Sequence, residues 1–151
     1  MMDSKTVRRT IEELLARQRF GVLATQSDGN PFTSLVSFAV TGDLRRIIFM
    51  TSRGTAKYAN MMRSERVSML IDSRSNRESD IRDAVAVTVT GKAREVDKDD
   101  QEYLKEIYLN KHPYLKGFAQ SPATALICID VKSYVLVARF QEVETLDMAE
   151  G

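Results

Sequence analysis

Apolar and polar positions recur along this chain with two different periods, and the changes of period mark its elements. Val7, Ile11, Leu14, Leu15 and Gln18 follow helical spacing, which predicts a helix from about Ser4 with Gly21 placed to end it. Phe20–Thr25 then reads as a strand. Ser27-Asp28-Gly29-Asn30 is turn chemistry, because Asp, Gly and Asn tolerate left-handed dihedrals. Pro31–Val40 and Arg45–Thr51 read as two more strands around a Gly42-Asp43 turn. Three strands on short turns imply an antiparallel meander.

A short helix-like stretch leads to a fourth strand, Arg66–Asp72, and Ser73–Asp83 has no periodicity and reads as a loop. Ala84–Val96 alternates around Gly91, which predicts one long strand with a bulge or bend at the glycine. Asp97–Asn110 is a helix capped by Asp97, with Tyr103, Leu104, Ile107 and Tyr108 on its buried face. Pro113 and Pro122 bracket a connection, and Ala125–Val131 and Tyr134–Val143 close the chain as strands. Six or seven strands with two or three helices predict a mainly β (α+β) fold. A small antiparallel barrel decorated by helices removes exposed sheet edges.

A length of 151 residues suggests one domain over residues 1–151. The formal net charge of +1, with basic residues scattered among acids, argues against nucleic acid or an acidic membrane surface as partner. No apolar run is long enough to span a bilayer, and the charged N-terminal segment lacks a signal-peptide core, so the expected location is the cytoplasm. One cysteine, Cys128, excludes an intramolecular disulfide, and its setting between isoleucines suggests a small core residue. A lone histidine, His112 beside Pro113, suits a helix cap or loop better than a metal site or a histidine-centred triad. Asp97, Asp99 and Asp100 are explained by the start of a helix, so no metal site is expected. There is no dinucleotide-binding glycine fingerprint or phosphate-binding P-loop motif.

The densest chemistry lies at Thr51-Ser52-Arg53-Gly54-Thr55 with Lys57, where a strand hands over to a helix. Three hydroxyls and two cations meet a helix N-terminus, whose unpaired N–H groups and partial positive charge suit a phosphate monoester. With Thr55 as cap, Lys57 falls in the first turn, where the macrodipole disfavours a cation by roughly 0.3–1 kcal/mol. Such a local conflict points to function.

The ordered set of elements resembles the FMN-binding split-barrel superfamily, the pyridoxamine 5′-phosphate oxidase-like proteins. The resemblance rests on Gly21-Val22-Leu23-Ala24-Thr25, Asp28-Gly29-Asn30-Pro31, Ser34-Leu35-Val36-Ser37-Phe38 and Ile48-Phe49-Met50-Thr51-Ser52. It continues through Lys57-Tyr58-Ala59-Asn60-Met61, Arg66-Val67-Ser68-Met69-Leu70, Val87-Thr88-Val89-Thr90-Gly91-Lys92-Ala93 and His112-Pro113. It implies a six- to seven-stranded antiparallel split barrel that binds FMN. Carried over by position, Thr51, Ser52, Arg53, Thr55 and Lys57 would hold the flavin phosphate, and Ser34, Leu35, Val36 and Ser37 would run along the isoalloxazine. The resemblance also implies a homodimer with flavin between subunits, to which Arg74 and Asn76 could contribute from the partner.

The departures from that family are informative. Ser34 and Ala39 stand where true pyridoxamine phosphate oxidases carry basic residues, and Glu142, Glu144, Asp147 and Glu150 make the end of the chain acidic. Vitamin B6 oxidation is therefore not expected. The implied activity is an FMN-dependent oxidoreductase acting on a small-molecule substrate or electron donor, with no catalytic side chain assigned. The alternatives are a deazaflavin-dependent reductase and a non-catalytic flavin or haem carrier.

Overall fold

The computed structural model describes residues 2–139 and 141–148, so Glu150 of the acidic terminus lies outside the described residues. Helix α1 spans Ser4–Arg17; Asp3 caps it by accepting the Thr6 N–H at 2.8 Å, and Val7, Ile11, Leu14 and Leu15 are buried. The helix stops at Arg17, before the glycine expected to end it. Gly21 instead lies inside strand β1 (Phe20–Ser27), where a Cβ would sit 2.8 Å from the Met69 sulfur.

Strand β2 (Asn30–Ser37) returns along β1 through a two-residue turn in which Asp28 and Gly29 have φ of 51° and 82°. This primed geometry matches the twist of the strands. The expected second strand then divides at Phe38. Ala39–Val40 forms a separate short strand, β3, which pairs with β4 (Arg46–Ser52). The first strands are therefore not a meander, because β1 pairs with β2 and β5 (Arg66–Asp72), whereas β4 pairs with β3 and β7 (Thr124–Ala138).

All neighbours in the sheet are antiparallel, in the order β2-β1-β5-β6-β7-β4-β3, with β6 spanning Ala86–Glu95. Since β2 runs into β3 across one residue, the two ends of this path are adjacent in the chain. The sheet curls into a split barrel. A last strand, β8 (Glu142–Asp147), pairs with the far half of β7, so the closing segment is one 15-residue strand and a hairpin partner, with the break after Ala138.

Helix α2 (Ala56–Arg63) follows β4, and a one-turn helix, α3 (Asp80–Asp83), interrupts the segment read as a loop. Helix α4 (Lys98–Lys111) buries Leu104 and Tyr108 but leaves Tyr103 exposed, and Asp97 occupies its cap position without a side-chain capping bond. A 3₁₀ turn and α5 (Lys116–Gln120) fill the connection to β7. Met61 packs in the core, whereas Met62 faces solvent.

The bulge foreseen near Gly91 is present, but its extra residue belongs to the neighbouring strand. Thr90 faces Ser133 and Gly91 faces Val131, which leaves Lys132 unopposed. Buried positions on β7 accordingly switch from Ile127, Ile129 and Val131 to Tyr134 and Leu136. The strands touch here so closely that a Cβ on Gly91 would lie 2.4 Å from the Asp130 carbonyl oxygen. Gly91→Ala should therefore cost about 2–3 kcal/mol in urea unfolding. Gly42→Ala, with nothing within 4 Å of the added carbon, should change stability by less than about 0.5 kcal/mol.

Candidate functional site

Strand β4 carries five successive buried residues, Ile47–Thr51, because both of its faces are covered. It therefore delivers the hydroxyl-rich turn from inside the barrel. Thr51 is almost fully buried, and its Oγ1 lies 2.9 Å from Thr55 Oγ1. The Thr55 hydroxyl donates to the Ser52 carbonyl at 2.8 Å and accepts the Tyr58 N–H at 3.3 Å, as an N-cap should. These two hydroxyls are thus committed to the shape of the turn. Ser52 Oγ accepts the Gly54 N–H at 3.3 Å.

The two cations of the turn have different surroundings. Arg53 donates to Glu95 Oε2 at 2.5 Å and to the Pro122 carbonyl at 2.9 Å, so its guanidinium is anchored to the sheet. Lys57, half-buried in the first turn of α2, makes no hydrogen bond or ion pair among the described residues. The N–H groups of Ala56 and Lys57 precede Ala59, the first residue to donate into the helical ladder, and are likewise without an acceptor among the described residues. Two amides, one ammonium and the Ser52 hydroxyl therefore remain for an anion at this helix end, a donor set that fits a phosphate monoester. Helix α2 is pinned at its middle by Asn60, whose Nδ2 donates to Thr25 Oγ1 of β1 at 3.1 Å in a buried contact.

Ser34, Leu35, Val36 and Ser37 lie on β2, opposite Leu23, Val22, Gly21 and Phe20 of β1. The two-residue turn makes Ser27 and Asn30 a hydrogen-bonded pair, and alternation along the strands follows from it. Phe38, eight residues on, donates to the Arg19 carbonyl at 3.2 Å in the same phase. The main-chain groups of Leu35 and Ser37 consequently point away from β1, toward the edge where β2 has no ladder partner among the described residues. Val36 is buried, whereas the Leu35 side chain is exposed.

Arg74 and Asn76 are not brought to the turn within this chain. Arg74 Nε folds back onto Asp72 Oδ2 at 3.1 Å, and the Asn76 N–H donates to Asp80 Oδ2 at 2.7 Å. A large open groove of about 970 Å³ lies elsewhere, among Arg66, Lys92, Arg94 and Lys132. Much of its charge is internally matched, with Arg94 on Asp130 at 2.7 Å and Lys92 near Glu65 at 3.6 Å.

Sequence reasoning missed the joint that supports β2. His112, the last cap of α4, is fully buried; its Nε2–H donates to the Phe38 carbonyl at 2.7 Å and its Nδ1 faces the Tyr114 hydroxyl at 3.2 Å. Burial holds its pKa below the ordinary imidazole value, which favours the neutral ring. Beside it, Lys111 donates to the Leu15 and Gln18 carbonyls at 2.8 and 2.6 Å and lies 4.0 Å from the Phe38 ring centre. Among the described residues, no three acidic, histidine or cysteine side chains converge as metal ligands. Burial also pushes the Cys128 thiol up to about 11.

With this geometry in place, comparison with known proteins identifies the class. Residues 7–138 match the profile of the pyridoxamine 5′-phosphate oxidase family, and the chain belongs to that family, in its split-barrel superfamily. No curated protein sequence matches the chain. Among solved structures it resembles a heme-binding protein from Mycobacterium smegmatis (TM-score 0.80, 18% identity), over 89% of this chain and 55% of that one. The chain thus spans little more than half of that protein. It also resembles General Stress Protein 26 from Bacillus anthracis (TM-score 0.70, 19% identity, 94% and 98% covered). A third likeness is to an FAD-binding protein from Mesorhizobium loti (TM-score 0.67, 16% identity, 85% and 91% covered). No helix among the described residues is long and apolar enough to cross a membrane.

The partly buried ammonium of Lys111 gives the joint a pH signature. Burial, with the charge of Arg19 beside it, lowers its pKa from 10.5 to about 8. Between those values the unfolded chain holds a proton that the folded chain has released, so this residue's contribution to stability rises with pH. Below about pH 8 both states carry the proton and the cost of burying the charge is fully present. The stability of the wild-type chain relative to Lys111→Met should therefore climb between pH 8 and 10.5 in urea unfolding. A level difference across that window would show that the ammonium is not desolvated.

Proposed function

We propose that this chain binds FMN, with the phosphate on Lys57, Ser52 Oγ and the amides of Ala56 and Lys57, and the isoalloxazine along β2. The observation that carries the reading is Lys57, an unpaired cation in the one place on α2 where the helix dipole opposes it. An anion seated there would offset that unfavourable placement. The structural kinship of a fold that in one relative is FAD-binding supports the same assignment.

Bound FMN would supply hydride or electron transfer, the class of chemistry an oxidoreductase of this family needs. The chain's part is binding and electrostatics. Lys57 and the helix N-terminus neutralise the phosphate, and the Leu35 and Ser37 main-chain groups orient the ring. Thr51 and Thr55 hold the turn. A small-molecule substrate or electron donor completes the reaction. Haem ligation by His112 through Nε2 would require breaking its buried bond to the Phe38 carbonyl, and the ring itself is fully buried, which favours the flavin.

The same reading calls for a homodimer. Leu35, Val143 and Phe20 are 68%, 58% and 51% exposed, and Leu35 shares a register row with Val22 and Leu70 of neighbouring strands. A two-fold partner would cover this apolar face and close the flavin edge of β2. Arg74 and Asn76, exposed in the loop after β5, are candidates to reach the partner's flavin.

Titration with FMN and riboflavin, followed by flavin fluorescence, tests the site. Lys57→Ala should weaken FMN binding about 10-fold, the size of one charge-assisted hydrogen bond, and leave riboflavin nearly unaffected. Unchanged FMN affinity would remove Lys57 from the phosphate site. Reduction of the bound flavin by NADH or NADPH distinguishes an oxidoreductase from a passive carrier.

Light scattering should give about twice the 17.1 kDa chain mass, and Leu35→Glu should shift it toward one chain. A monomer that still holds FMN tightly would contradict the shared site.

A further inference from the structure

We infer that Glu95 is a positioning residue for the phosphate turn, acting through Arg53 and Tyr58; the inference rests on the FMN reading above. Glu95 ends β6 and is paired with Ile127 of β7, so its carboxylate stands on the sheet. Its Oε2 accepts from Arg53 Nη2 at 2.5 Å and its Oε1 accepts from the Tyr58 hydroxyl at 2.7 Å. These donors flank the turn, one just after β4 and the other in the first turn of α2. A single carboxylate thus ties both sides of the turn to one point.

The other side of the guanidinium completes the frame. Arg53 Nη1 donates to the Pro122 and Thr124 carbonyls at 2.9 and 3.4 Å, and the Arg53 N–H donates to the Ala123 carbonyl at 2.9 Å. Arg53, a phosphate candidate on sequence grounds, is therefore a strut whose charge is neutralised by Glu95. Lys57 is left as the cation facing the anion. The pairing also shows in the protonation equilibria, since the Arg53 guanidinium holds the Glu95 carboxyl below its ordinary value.

Glutamine at position 95 keeps the shape but carries no charge. Its oxygen can still accept from Arg53 and its amide can donate to the Tyr58 hydroxyl, so what is lost is the charge assistance that fixes the guanidinium. With Arg53 and Glu95 both partly exposed, Glu95→Gln and Arg53→Ala should each weaken FMN about 5-fold. Tyr58→Phe, which removes one hydroxyl from the same carboxylate, should weaken FMN roughly 2-fold. The double variant Arg53→Ala/Glu95→Gln should be no weaker than Arg53→Ala alone, and riboflavin affinity should not change in any of them.

Tighter FMN binding by Glu95→Gln would mean that a freed Arg53 reaches the phosphate, and would overturn the strut assignment. Unchanged FMN affinity, or equal losses for FMN and riboflavin, would overturn it as well. The wild-type protein is titrated first. If it binds no FMN the cofactor reading itself fails, an outcome distinct from normal wild-type binding with an indifferent Glu95→Gln.

Discussion

A strand that changes partners partway along must still satisfy its backbone polar groups at the changeover. In this chain the changeover is Phe38, and the barrel depends on it. Before Phe38 the strand pairs with β1; after it the same strand pairs with β4. The Phe38 N–H reaches the Arg19 carbonyl and its carbonyl accepts from His112, 74 residues further on. Without that imidazole a buried carbonyl would be left unpaired, at a cost of about 1–3 kcal/mol. Helix α4 is therefore more than a cover for the barrel, since its C-cap residue, His112, completes a break in the sheet.

The candidate site uses both sides of this joint. On one side β2 leaves an unpaired edge bearing Leu35 and Ser37; on the other β4 projects the hydroxyl turn. Three cations near these elements differ in role because their partners differ. Arg53 is neutralised by a carboxylate, Lys111 is spent on carbonyls that close the end of α1, and Lys57 alone is left facing outward from a helix start. The charge of Arg53 is offset by Glu95 and that of Lys111 is held on carbonyls at the end of α1, so selectivity for an anion rests on local geometry. A net charge of +1 says little about it.

Much of this was legible in the residue pattern where the determinants are local. The helical stripe of α1, the Asp28-Gly29 turn, the cap at Thr55 and the irregularity at Gly91 each follow from residues near one another in the chain. The rest depended on distant partners. Periodicity runs smoothly through Phe38, so nothing nearby announces that the strand exchanges β1 for β4. Gly21 looks like a helix stop but makes room for Met69 of β5, and Tyr103 fits the apolar stripe of α4 but faces solvent. Arg53 is recognisable in the sequence as a cation of the turn, but its commitment to Glu95, 42 positions away, is not. Residue type indicates what chemistry is possible, and long-range packing decides which group is left to perform it.

The place of β7 in the sheet has a consequence for how the chain acquires its fold. This strand is made after the six others in the order β2-β1-β5-β6-β7-β4-β3, yet it sits between β6 and β4 in the interior of the sheet. Until Thr124–Ala138 has left the ribosome, β2-β1-β5-β6 and β3-β4 are two fragments joined by Phe38 and by α2, each with an open edge. Neither fragment can bury its apolar face against the missing strand. Cooperative folding of the barrel must wait for β7, and the pairings that then form are mostly distant in sequence, which makes for slow folding. During that interval the incomplete barrel is the species most in need of chaperone protection.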